Sequence, residues 1–261
     1  MSDIIYKRTY FLGDSFEKTK ERAIQKLGKY LRYPDLISFN DLDKSVTFST
    51  ERLIPTTSTN RPRVMLLYSN PHPYSVYQGM FLSPNTKGQK NSFWTVMKDA
   101  GWINFNEEIH NTKQLADKCL RADYQGLFEL IFYCYYAFPT SYPEEIIKIF
   151  GKEYFKHVIE PEAMDEFIKT IQELNVAAVV KFNKEIFNLV SNYQVDLYIN
   201  CLLEGELIQS HIKGIDQKIP IFLTFPTGWR YKKNFRQFRK ESLDAIGIAI
   251  GNSLQAVEGI E

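Results

Sequence analysis

The stretch Ser69-Asn-Pro-His-Pro-Tyr-Ser-Val-Tyr-Gln-Gly-Met-Phe81 places an amide, an imidazole and several hydroxyls around two prolines and a glycine. The prolines fix φ beside Asn70 and His72, so the polar side chains sit in a stiff turn, and Gly79 permits a close backbone approach. Stiffness favours a pocket. Read alone, Asn-Pro and Pro-Tyr-Ser are equally ordinary turn chemistry.

A second chemically loaded stretch runs from Phe225 to Lys240, where six cationic side chains interleave with five aromatic ones. Thr227, the backbone near Gly228, Arg230, Lys232 and Lys233 are suited to phosphate contacts. Trp229 or Tyr231 is suited to wedging into a gap in a base stack. The competing use of such a run is a solvated helix start with snorkelling Lys and Arg stems.

These residues need elements to hold them. Four short, nearly continuous apolar runs, Val64 to Tyr68, Phe128 to Tyr136, Val176 to Phe182 and Ile219 to Phe225, read as buried strands. Continuous apolarity fits a parallel sheet covered on both faces, and helix-like segments separate the runs. The expected fold is α/β, a three-layer α/β/α sandwich around a central, mainly parallel four-stranded sheet. Helices are expected over Ser92 to Ala100, Glu144 to Phe150, Pro161 to Leu174, Lys184 to Tyr193 and Phe235 to Val257. Asp196 to Ile215 reads as a hairpin or extended excursion. Residues 1–60 read as an extension with an amphipathic helix over Ser15 to Tyr33, placed like a lid, followed by a Pro/Ser/Thr loop over Pro55 to Pro62. Ligands of open parallel sheets bind beyond the carboxyl ends of strands, so the loop after Tyr68 is the expected site. The basic segment follows the last strand, at the same sheet edge.

The ordered set Asn70-Pro71, Ser75, Gly79, Phe81, Asn91-x-Phe93-Trp94 and Ala100-Gly101 resembles the uracil-DNA glycosylase superfamily, especially its mismatch-specific and single-strand-selective branches. The resemblance implies a single glycosylase-like domain over residues 1–261. It also implies that a base is flipped out of the DNA stack and its glycosidic bond hydrolysed. By this resemblance Asn70 positions the attacking water. Phe81 stacks on the base, with Leu82 as competing occupant and plain core packing as the other reading. Pro71, Tyr74, Ser75 and Gly79 shape the pocket.

The chain departs from the pattern in several places. His72 stands where the family has Gly, and Phe225-Pro-Thr227 occupies the place of a His-Pro-Ser or Asn-Pro-Ser motif. The strand from Phe128 ends in aromatic residues where uracil-specific relatives have an Asn, leaving Tyr136 one hydrogen bond to offer. His72 either takes over the charge-stabilising role of the absent His or is a turn histidine facing solvent. Two other functions stay open: a nucleobase- or DNA-binding protein of this fold without excision, and a hydrolase or transferase acting on a free nucleoside.

Composition bounds the rest. The chain has 261 residues, 44% hydrophobic and 24% charged, which is enough for one sizeable core. A net charge of +1 excludes a globally basic nucleic-acid binder but not a local patch. Cys119, Cys134 and Cys201 lack the paired spacing of a disulfide framework or a metal site, and His110, His157 and His211 show no ligand spacing, so no metal or cofactor is expected. No apolar run reaches the ~18 residues of a membrane span, and Met1 to Tyr10 lacks a secretory core. A cytoplasmic monomer with DNA as partner is expected. Phosphate-cradling Gly-rich loops and nucleophile elbows are absent from the sequence.

Overall fold

The computed structural model describes residues 4–83, 91–228 and 233–258, with side chains through 255. The chain enters through β1 (Ile5–Phe11), a 3-10 turn at Gly13–Ser15, α1 (Phe16–Leu27), β2 (Ile37–Asn40) and β3 (Ser45–Leu53). It continues through β4 (Arg63–Tyr68), α2 (Pro73–Gln78), α3 (Ser92–Asp99), α4 (Thr112–Leu120) and β5 (Glu129–Cys134). Then come α5 (Glu144–Phe150), α6 (Lys152–Tyr154), a π-helical turn at Phe155–Ile159, α7 (Glu160–Glu173) and β6 (Ala178–Lys181). The chain closes with α8 (Lys184–Val190), α9 (Tyr198–Leu203), β7 (Ile208–His211), β8 (Pro220–Leu223) and α10 (Phe235–Glu258).

The four apolar runs are the four central strands. They pair in the order β5-β4-β6-β8, all parallel, with Leu66 opposite both Phe132 and Val180. Side chains alternate across the sheet. Met65 and Leu67 pack with Phe167, Phe187 and α1, while Val64 and Leu66 pack with Phe93, Leu115 and Ile246. Helices α1, α5, α7, α8 and α9 cover the first face, and α3, α4 and α10 the second, which gives the α/β/α layers. Two buried faces explain the unbroken apolar runs.

The sheet is larger than the four strands expected, because it has eight. β3 pairs antiparallel with β1 from Ser45 to Glu51, with β2 from Ser45 to Phe48 and with β5 through Arg52 and Leu53, and β7 pairs antiparallel with β8 at the other edge. The first 60 residues therefore contribute three sheet strands besides α1. Asp196 to Ile215 also differs from the extended expectation. Its first part is helix α9, and the turn at Gly205, with φ of 84°, delivers β7 to β8. No helix among the described residues is long and apolar enough to cross a membrane.

Since β4, β5, β6 and β8 run the same way, their carboxyl ends at Tyr68, Cys134, Lys181 and Leu223 bring four loops to one edge. The described candidate residues sit in or beside those loops.

Candidate active site at the carboxyl edge of the sheet

The loop after β4 is laced to the loop after β5. Tyr135 N–H donates to the Tyr68 carbonyl (2.9 Å), Tyr136 N–H to the Ser69 carbonyl (2.8 Å) and Thr140 N–H to the Pro71 carbonyl (3.1 Å). The Asn70 side chain completes the lacing. Its Nδ2 donates to the carbonyls of Thr140 (2.8 Å) and Pro71 (3.1 Å) and to Thr140 Oγ1 (2.9 Å). Two of these acceptors are carbonyl oxygens, so the nitrogen has to face them and the amide orientation is fixed. Oδ1 is left as an acceptor that no donor meets among the described residues. Asn70 is half-buried, so this oxygen is held rigidly at a partly wet edge.

Beneath the same loop lies a group that sequence reading did not single out. Lys181, 1% exposed at the end of β6, donates from Nζ to the Leu67 carbonyl (3.1 Å) and to Ser69 Oγ (3.1 Å). Ser69 Oγ also accepts from Asn183 Nδ2 at 2.9 Å, while Asn183 Oδ1 is buried without a partner. Burial pushes the Lys181 pKa down to about 7, because the interior disfavours the charged amine. Its signal in the sequence was a single lysine inside the apolar run from Val176 to Phe182. Through Ser69, Lys181 and Asn183 fix the backbone that leads into Asn70.

His72 is the N-cap of α2, accepting at Nδ1 from the Tyr74 N–H (3.2 Å). Although the residue as a whole is exposed, its ring stands edge-on to Tyr30 at 5.7 Å, and this desolvation, together with the Lys29 charge, lowers its pKa. It is therefore a neutral imidazole near pH 7, with Nε2–H as its remaining donor. Pro71, Pro73 and Ser75 are buried, Tyr74 is half-buried, and Gly79 ends α2 in the left-handed region at φ of 77°. That φ is why a glycine stands there.

Phe81 belongs to the core. It is 2% exposed, with its ring 5.4 Å from Tyr68 and 5.6 Å from Phe132, so no ring face is presented to the site edge. Leu82, its competitor for base stacking, has φ of 51° and offers its carbonyl to Trp94 Nε1 at 3.2 Å. Tyr136 is buried against Tyr135 and Phe155, and burial raises its pKa. Asn91 caps α3, its side chain accepting from the Phe93 N–H at 3.0 Å.

After β8, Phe225 is 1% exposed and Thr227 half-buried, whereas Gly228 and Lys233 are exposed. Trp229, Arg230, Tyr231 and Lys232 lie outside the described residues. From α10, Arg239 is buried and reaches Ser92 Oγ at 3.4 Å. The basic segment thus begins at the same edge as Asn70, on the side of β8. A cleft of about 710 Å³ lies elsewhere, between α3, α4 and the loop that joins them, lined by Trp94, Phe105, Ile109 and His110. Among the described residues no group of His, Cys, Asp and Glu could hold a metal ion. No protein-family model matches the chain, and no curated protein matches it significantly.

Proposed function

We propose that this protein is a DNA glycosylase that flips a uracil-like, damaged or mismatched base out of the stack and hydrolyses its glycosidic bond. The observation that carries the reading is Asn70. An amide whose nitrogen is pinned to the Thr140 and Pro71 carbonyls presents Oδ1 in one direction, at the carboxyl edge of the central parallel strand. There Oδ1 accepts a hydrogen bond from a water and directs it at C1′ of the sugar. The bond from C1′ to the base nitrogen breaks with its electron pair leaving on the base, the water oxygen takes its place on C1′, and the proton that water sheds passes through solvent to the departing base nitrogen. An amide is a weak base, so turnover is modest and bases in weak pairs are favoured. Neutral His72 donates from Nε2–H to the departing base rather than meeting it as a cation.

The experiment is a panel of labelled oligonucleotides carrying uracil, hypoxanthine, xanthine or a thymine mismatch, single- and double-stranded, with Asn70→Ala as control. Alkali-revealed breaks that vanish in the control support excision and name the base. A second reading, a nucleobase- or DNA-binding protein without excision, is favoured by the burial of Phe225 and Phe81, which leaves neither a charge-stabilising His nor an open ring at those positions. Salt-sensitive binding with no breaks on any substrate would select it.

A further inference from the structure

We propose that the tyrosine-rich surface beside the Asn70 loop is a stacking site for unpaired nucleobases, so that a single strand of nucleic acid runs past the candidate site on the side of α1 and α2. This rests on the reading of the protein as one that acts on DNA, and adds the strand form it grips.

Three segments build the surface. The turn after α1 supplies Lys29, Arg32 and half-buried Tyr33 above the buried Tyr30, and α2 supplies Tyr74 and Tyr77. The loop after β5 supplies Tyr142, 63% exposed, beside Ser141, whose Oγ is 2.9 Å from the Tyr30 hydroxyl. Tyr33 and Tyr77 stack at 4.3 Å with an interplanar angle of 10°, and Tyr74 stands 6.3 Å from Tyr33. Arg32 lies 5.5 Å from the Tyr33 ring centroid, and Lys29 lies 4.6 Å from that of Tyr30. The edge-on contact of Tyr30 with His72 joins this surface to the Asn70 turn.

Exposed aromatic rings already stacked on one another are costly for an ordinary surface and useful for a flat ligand. Tyr77 is 48% exposed although one ring face is taken by Tyr33, so the other face is open to a base. The ring is held in place before the ligand arrives, which removes the cost of ordering it on binding. Base–aromatic stacking is indifferent to base identity, and the neighbouring cations suit the phosphates between bases. Lys29 and Arg32 form no ion pair among the described residues, and the nearby carboxylate of Glu145 already accepts from the backbone of Ser141 and Tyr142. A duplex keeps its base faces inside the stack, so this surface selects unpaired nucleotides.

The test is fluorescence anisotropy with labelled oligothymidylate and oligouridylate of about twelve nucleotides, and with a duplex of mixed sequence. Tyr77→Ala should weaken binding of the single strands about ten-fold and leave the duplex unaffected, while Tyr77→Phe keeps the wild-type affinity. Arg32→Gln should lower the slope of log affinity against log salt by about 0.7. The two single strands separate DNA from RNA as the source of the bases. Wild-type single-strand binding that Tyr77→Ala leaves intact would overturn the stacking site alone. Equal loss in Tyr77→Ala and Tyr77→Phe, or competition by polyglutamate as effective as by unlabelled oligonucleotide, would overturn it too. Base excision from duplex without any single-strand binding would overturn it while the glycosylase reading stands. Absence of binding to any of the three probes, with no excision, would sink both.

Discussion

Replacing Lys181 with methionine should change how stability depends on pH. In the fold the amine has its pKa lowered to about 7, against 10.5 when unfolded. Between those values the unfolded chain binds the proton and the folded chain does not, so wild-type stability rises with pH, by at most about 1.4 kcal/mol per pH unit. Below pH 7 both states are protonated and the cost of the buried charge is constant. Urea unfolding at pH 7 and at pH 9 should show wild type gaining on Lys181→Met; a difference that stays constant would contradict the buried, neutral amine. At this scale the sequence was legible where backbone chemistry is local. Asn70 stood out because prolines stiffen its turn. Lys181 did not, because its burial follows from sheet order and from helices far away in the chain. Phe81 was balanced between stacking and packing, and the packing of Tyr68 and Phe132 around it decides for the core.

Two glycines make opposite predictions about the elements that hold the edge. A Cβ on Gly126 would lie 2.1 Å from the Trp102 carbonyl oxygen, where the backbone of Asn104 and Gln125 pairs and cannot yield. Gly126→Ala should therefore cost about 3 kcal/mol or more. Gly251, within α10, would meet nothing within 4 Å, so Gly251→Ala should stabilise by about 0.5–1 kcal/mol through helix propensity. Denaturant midpoints check both, and a tolerated Gly126→Ala would mean that the turn is looser than described. Among elements, the parallel strands were legible because burial on both faces demands unbroken apolarity. The meander β1 to β3 was not. β1 alternates half-buried and exposed positions, and β3 carries buried Ser45, Ser49, Thr50 and Glu51, so neither reads as an apolar run. The segment holding α9 was misjudged because the helix is six residues long, too short to show a period.

Across the whole molecule, the buried Arg63–Glu129 pair and the proposed site sit at opposite ends of the sheet. At the amino ends of β4 and β5, the fully buried Glu129 pairs with Arg63 Nε at 2.6 Å and accepts from Thr59 N–H and Oγ1 at 2.8 and 2.9 Å. Arg63→Met would strand that carboxylate and should cost about 3–5 kcal/mol, while excision measured well below the new Tm stays near wild type. A large loss of rate at full folding would contradict this separation. The most direct test of the central claim is single-turnover release of the free base from the best oligonucleotide of the panel, compared between wild type and Asn70→Ala with binding measured on the same DNA. Loss of the water-directing oxygen should slow release by about 10²-fold or more with affinity little changed. Release at the wild-type rate from Asn70→Ala, or no release by either protein, would contradict it.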